Sequence, residues 1–147
     1  MLYCLPFDYR EPLMFTAAHT LEFAELAKQK VAEFNALHWD ASKRQQLGLK
    51  LENDSGELIA ALAGRTFGHW FYLESLWLDE RVRGKGVGSK LLAEAEAIAK
   101  ARGCSFVILD TLDFQARPFY QRHGYKVEWT QPNYPLTGCK HFMTKQL

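Results

Sequence analysis

The sequence predicts an α+β chain: one mixed, twisted sheet, mostly antiparallel, with helices on both faces. Three observations lead there. Three strand-like stretches follow one another between 46 and 79, parted by "NDSG" and by Gly68, as in an antiparallel meander. A glycine-rich loop then opens a helical pattern that runs into a short apolar stretch at 105–110. Strand, loop, helix and strand in that order form a right-handed crossover, which sets its two strands parallel. Two further strand-like stretches, near 125–130 and 140–146, close the chain.

Each element has its own signal. Residues 15–38 read as a long helix, broken in the middle, because Phe23, Leu26, Ala27, Val31 and Phe34 recur at steps of three or four. Thr16 or Thr20 would cap it. "QLGLKLEN" at 46–53 alternates, and "ELIAALAGRTF" and "HWFYLESLWLD" flank Gly68 as two more strands. Val87, Leu91, Leu92, Ala95, Ile98 and Ala99 draw an apolar helical stripe that Gly103 ends. "SFVILD" at 105–110 is nearly all apolar, as for a strand buried on both faces. A shorter helix spans about 114–123 and stops at Gly124, and "QPNYPLTGC" links the last two strands. With no repeat or linker, 1–147 reads as a single domain.

Composition narrows the class. A chain of 147 residues buries roughly 70% of its unfolded surface, enough for a core. A net charge of +1 argues against nucleic acid as a partner. No apolar run reaches a membrane span, and "MLYCLPFDYREP" lacks the regions of a signal peptide. Cys4, Cys104 and Cys139 form no CxxC pair, and His19, His69, His123 and His141 have no ligand spacing, so no metal is expected. Free thiols fit a reducing, cytoplasmic setting. Cys104 reads as a small hydrophobe ahead of a buried strand, and a nucleophilic cysteine is the rarer reading.

The segment Arg83-Gly84-Lys85-Gly86-Val87-Gly88 asks for an explanation, since glycines weaken a helix start. A helix N-terminus carries unpaired N–H groups and a partial positive charge, and bare backbone lets a phosphate come close. Arg83 and Lys85 add side-chain charge. The plainer reading is a surface loop whose glycines permit a sharp turn. Two nucleotide motifs fail: Gly88-Ser89-Lys90 has the wrong order for a Walker loop, and Gly84, Gly86 and Gly88 have the wrong spacing for a dinucleotide fingerprint.

Arg83-x-x-Gly86-x-Gly88 resembles the R/Q-x-x-G-x-G/A signature of the GNAT superfamily of acyl-CoA N-acyltransferases. "DFQARPFYQRHGY" is similar to that family's second segment, with Ala116, Tyr120, Gly124 and Tyr125 in register and Asp113 where the family has Asn. The resemblance covers about 57–146. It implies a GNAT-like fold with a parallel strand pair splayed at an acyl-CoA cleft, and acetyl-CoA as co-substrate. It implies that the coenzyme A pyrophosphate meets the backbone of Gly84, Lys85, Gly86, Val87, Gly88 and Ser89, with Arg83 alongside. The pantetheine arm would pair with Leu76, Trp77 and Leu78, and Asp113 and Tyr120 would complete the cofactor contacts. The expected reaction is N-acetylation of a primary amine, on a small molecule or a peptide, and self-association as a homodimer is compatible with it. The rivals are a non-catalytic acyl-CoA sensor and a phosphate-binding protein of another fold.

Direct acyl transfer needs a neutral amine, although a free alkylamine has a pKa of about 10.4. It also needs donors for the oxyanion and a proton for the leaving thiolate. The resemblance makes Tyr120 the general acid, where the residues alone would read a packing tyrosine beside Phe119. Glu74 interrupts "WFYLESLWL", and alternation puts it on the face of Tyr72, Leu76 and Leu78. It is either the base, directly or through a water, or the partner of an arginine. Asp110 either meets a cationic acceptor or caps the next turn with Thr111. His38 and Trp39 border the acceptor region in the resemblance, though a surface role is the simpler one. The 131–139 loop covers the acceptor side or is a plain hairpin connection.

Overall fold

The computed structural model describes residues 13–147. Cys4 and the opening segment lie outside them. The chain divides into two compact units after Ala41.

The first unit contains α1, Leu21–Asn35. Thr20 is its cap: extended backbone there lets the Thr20 hydroxyl accept from the Phe23 N–H at 3.1 Å. The helix is therefore shorter at both ends than 15–38. Its apolar stripe has the expected spacing, yet none of its residues is buried. Phe23, Leu26, Val31 and Phe34 are all exposed, and Phe34 meets the His38 ring at 5.1 Å.

The second unit is built on a six-stranded sheet in the order β1-β2-β3-β4-β6-β5. Its strands are β1, Gln45–Glu52; β2, Leu58–Phe67; β3, Trp70–Leu78; β4, Phe106–Leu112; β5, Lys126–Pro132; and β6, Cys139–Gln146. β3 and β4 are parallel and every other neighbouring pair is antiparallel. The crossover helix α2, Val87–Ala101, joins the parallel pair, and a shorter α3, Arg117–Arg122, follows β4.

The pairing register assigns the two faces. Leu47, Leu62, Phe71, Leu73, Val107, Leu109 and Met143 share a first face and form one buried cluster with Leu92, Ala95 and Ala99 of α2 and Tyr120 of α3. Trp70, Tyr72, Phe106, Ile108, Asp110, Phe142 and Trp129 line the second face. Two ring stacks cross it, Trp70–Phe106 at 4.9 Å and Trp129–Phe142 at 5.2 Å. β4 is thus buried on alternate residues rather than on both faces: Val107, Leu109 and Thr111 are enclosed, while Asp110 is exposed. Cys104 is buried just ahead of β4, its Sγ 3.7 Å from the Gly68 carbonyl, and burial raises its thiol pKa. A raised thiol pKa suits packing and not nucleophilic attack.

One irregularity sets up the site. β2 and β3 keep register from Phe67↔Trp70 to Gly64↔Leu73, then resume at Ala63↔Ser75. Glu74 is the extra residue of a β-bulge. The alternation expected across "WFYLESLWL" therefore breaks. Leu76 packs on the core cluster of the first face, with Leu78 two residues on, while Glu74 and Ser75 are both exposed on the second. Glu74 shares a face with Tyr72 but not with Leu76 and Leu78.

Candidate active site

The parallel pairing is short: Trp70↔Phe106, Phe71↔Val107 and Tyr72↔Ile108. Past these pairs β3 runs on to Leu78 and β4 to Leu112 without pairing to each other. The bulge at Glu74 supplies the physical cause, since a bulge bends its strand and adds local twist. The result is a split at the carboxyl ends of two parallel strands, where ligands of such sheets bind. Leu76, Trp77 and Leu78 form its β3 side.

The glycine loop closes the end of the split. Asp79 caps a single 3-10 turn by accepting from the Arg81 N–H at 2.9 Å, and the Arg81 hydrogen bonds hold its carboxyl at about 2. Arg81 also donates to Glu57 at 2.7 Å, which ties the loop to the start of β2. Arg83 turns back, its Nε donating to the Leu78 carbonyl at 3.1 Å. Gly84 and Gly86 have φ of +70° and +78°, and no atom lies within 4 Å of where a Cβ would stand on either. Both need glycine for conformation, and both leave open space beside the backbone. Gly86 is the α2 N-cap and offers no side-chain bond, so the first-turn N–H groups of Val87, Gly88 and Ser89 have no side-chain cap.

Gly88 has a different reason. A Cβ there would lie 3.1 Å from Leu78 Cδ1 and 3.5 Å from Phe119 Cζ. The end of β3, the start of α2 and the body of α3 meet at this point. Lys85 is exposed beside the loop, and the Ser89 hydroxyl lies 2.9 Å from His123 Nε2. The structure therefore brings the β3 terminus and the segment Arg83 to Ser89 together. Their arrangement fits a diphosphate at an uncapped helix N-terminus and an extended arm along an unpaired strand edge.

Tyr120 sits in the core cluster, 7% exposed, with edge-on ring contacts to Phe119 and Tyr125 at 5.2 and 5.5 Å. Among the described residues none hydrogen-bonds its hydroxyl. No enclosed side-chain oxygen or nitrogen there is left unpartnered, so this oxygen keeps access to solvent. Burial pushes its pKa up to about 12. Tyr125 is committed elsewhere, donating to Glu96 Oε1 at 2.8 Å while Lys145 takes Glu96 Oε2 at 2.6 Å.

Glu74 lies across the sheet from α3, paired with Arg65 of β2. The two catalytic candidates are thus on opposite faces of the sheet. Asp110, half exposed at the end of β4, has Lys140 Nζ at 3.6 Å, and that ammonium lies 4.3 Å from the Tyr134 ring centroid. Asp110 does not cap the next turn. Thr111 and Gln115 do so, accepting from the Ala116 and Leu112 N–H groups at 3.3 and 2.9 Å.

Asp113 has a structural commitment. Its carboxylate accepts from the Cys139 N–H at 2.6 Å and from His141 Nε2 at 2.8 Å, and these bonds, His141 first, lower its pKa. A carboxylate only accepts, so Nε2 carries the proton, and Nδ1 lies 2.9 Å from the Thr130 hydroxyl. His141 is buried at 3% exposure. The cluster pins the 133–138 loop to the end of β4. Sequence reasoning missed Thr130, His141, His123 and Arg65. Of these only Arg65 left a readable signal, a charge inside an apolar strand opposite Tyr72.

Among the described residues no group of three or more His, Cys, Asp or Glu could hold a metal, and no helix is long and apolar enough to cross a membrane.

Comparison with known proteins places this geometry. The sequence profile of the acetyltransferase (GNAT) family matches residues 14–125. The blasticidin-S acetyltransferase of Streptomyces morookaense is 41% identical over 95 residues, 64% of this chain and 70% of that protein. The crystal structure of an acetyltransferase from Bacillus cereus superposes with a TM-score of 0.80 at 31% identity, covering 91% of this chain and 98% of that one. An aminoglycoside 6'-N-acetyltransferase complexed with coenzyme A shares the fold, with a TM-score of 0.61 at 16% identity over 90% of this chain and 97% of that one.

Proposed function

Because the chain belongs to the acetyltransferase (GNAT) family and is an acetyltransferase, we propose that it moves the acetyl group of acetyl-CoA to a primary amine of a small molecule by direct attack. The observation that carries this reading is the split parallel pair ending at an uncapped, glycine-lined helix start. The split would take the extended thioester arm along Leu76, Trp77 and Leu78. The N–H groups of the 84–89 segment would take the diphosphate, with Arg83 and Lys85 adding charge. An aminoglycoside 6'-N-acetyltransferase of the same fold was crystallised with coenzyme A, which supports the choice of co-substrate.

Tyr120 is the proton donor to the departing thiolate. Its phenol stays protonated at any working pH because burial holds its pKa near 12. Glu74 is the base, through a water, and draws a proton from the acceptor ammonium so that the amine lone pair can attack the thioester carbon. The tetrahedral intermediate then expels the thiolate, which takes the Tyr120 proton, while the proton still on the attacking nitrogen passes to solvent and Tyr120 is reprotonated from solvent; no covalent enzyme intermediate is needed. Asp113 acts by fixing the 133–138 loop. The acceptor is a small-molecule amine, and the relative that acetylates blasticidin S makes that antibiotic the first compound to try.

The test is a calorimetric titration with coenzyme A, followed by thiol release from acetyl-CoA over a panel of blasticidin S, aminoglycosides, polyamines, amino acids and n-butylamine. The reading expects coenzyme binding and acceptor-dependent thiol release. Coenzyme binding with no thiol release for any amine would make the protein a sensor and overturn it.

A further inference from the structure

We infer that Arg65 is a positioning residue for acyl transfer, acting through the Glu74 carboxylate; this rests on the reading of Glu74 as the base. Arg65 lies on β2 directly opposite Tyr72. Its neighbours Gly64 and Thr66 belong to the first face, and Thr66 is buried at 4%, so the Arg65 side chain projects from the second. There it makes two contacts. The guanidinium carbon is 5.2 Å from the Tyr72 ring centroid, and one guanidinium nitrogen is paired with Glu74 Oε1. A lysine ammonium would keep the charge without the planar face that meets the ring.

The bulge makes that restraint matter. Glu74 is the one residue of this stretch with no opposite number on β2, so the strand ladder does not set its side-chain direction. Arg65 sets it instead. On the second face Glu74 is paired with Arg65 of β2, Tyr72 lies on its own strand, and Asp110 of β4 has Lys140 of β6 beside it. Lys140 is engaged by Asp110 and Tyr134, which leaves Glu74 to Arg65.

Stability alone is a weak reason for this pair. Arg65 and Glu74 are 39% and 42% exposed, and ion pairs at such exposure add little to stability. The role is therefore separable from folding.

The experiment is a double-mutant cycle of Arg65→Met and Glu74→Gln, with Arg65→Lys as the conservative variant. The readouts are kcat and KM for acetyl-CoA with the acceptor found in the panel, n-butylamine as reference amine, and the melting temperature. Arg65→Met should lower kcat roughly 10- to 100-fold, the scale of a misplaced reacting group, with KM for acetyl-CoA and melting temperature little changed. Arg65→Lys should recover part of that loss. In the Glu74→Gln background Arg65→Met should cost nothing further. Full turnover in Arg65→Met beside an impaired Glu74→Gln, or losses that multiply in the double variant, would overturn the inference and leave the base reading standing. An unimpaired Glu74→Gln would overturn the base reading and this inference with it.

Discussion

A Cβ added to Gly64 would stand 2.2 Å from the Tyr72 carbonyl oxygen and 2.8 Å from Phe71 Cε2. The backbones of β2 and β3 touch at the last regular pair before the bulge. Gly64→Ala must therefore move a strand, not a flexible side-chain end. The expected loss is about 1–3 kcal/mol, the usual cost of overpacking a core. Chemical denaturation reads it. Turnover should fall as well, because the displaced strand carries Glu74. An alanine variant of native stability would show that the strands separate there at little cost.

Gly86 tests the loop from the other side. No atom crowds a Cβ there, so the cost of Gly86→Ala is the left-handed backbone, about 1–2 kcal/mol. The methyl group would occupy the space proposed for the diphosphate. Coenzyme A affinity should drop at least tenfold, which is 1.4 kcal/mol. Calorimetry on the folded variant decides. Unchanged affinity would remove the loop from the binding site.

Tyr120→Phe separates turnover from binding. Loss of a general acid is worth roughly 100- to 10,000-fold in rate, with acetyl-CoA affinity little changed. The same variant has a signature in alkali. The folded pKa of about 12 exceeds the unfolded value near 10. The unfolded chain therefore releases this proton first. Stability is complete below pH 10 and falls as pH rises from about 10 to 12, by about 2–3 kcal/mol from this group. Tyr125 is shifted the same way by burial and by Glu96. The phenylalanine variant should lose less stability across that window than the native protein. Identical alkaline slopes would mean that the hydroxyl is not buried as described.

Asp113→Ala should loosen the 133–138 loop. It removes the acceptor for both the Cys139 N–H and His141 Nε2, and leaves a buried imidazole with one partner. The carboxylate is half exposed, so the loss should be modest, and chemical denaturation reads it. Asp113→Asn keeps one acceptor and should cost less. Because the folded carboxyl has a lowered pKa, its stabilising effect is present above the unfolded value and is lost as pH falls through the folded one. The native protein should therefore weaken in acid more steeply than either variant.

Local chemistry made some of this structure legible and not the rest. The glycines, the helix stripe and the crossover are local signals, and each needs only its neighbours in the chain. The bulge was also written there, but faintly. Phe71 and Leu73 run in one phase and Leu76 and Leu78 in the other, with the polar pair Glu74-Ser75 at the slip. A strict two-residue alternation read through that slip put Glu74 on the wrong face relative to Leu76 and Leu78. The Arg65 partnership follows from the register about Gly68, which the hairpin fixes once its turn is known. Asp113 and His141 are separated by 28 positions and meet only because β4 and β6 are neighbours. Nothing local announces such a pair, so an aspartate that anchors a loop looked like a departure from a binding motif. α1 shows the converse, since a clear apolar period did not say what would cover it.

The short parallel seam has a mechanical meaning. The sheet is two antiparallel panels, β1-β2-β3 and β4-β6-β5, and the ladder hem joining them ends at Tyr72 and Ile108. A ligand lying in the gap with its own amides would finish the stitching. Occupancy would then stiffen the joint between panels as well as fill a site, and heat would find the free protein easier to unzip there than the loaded one.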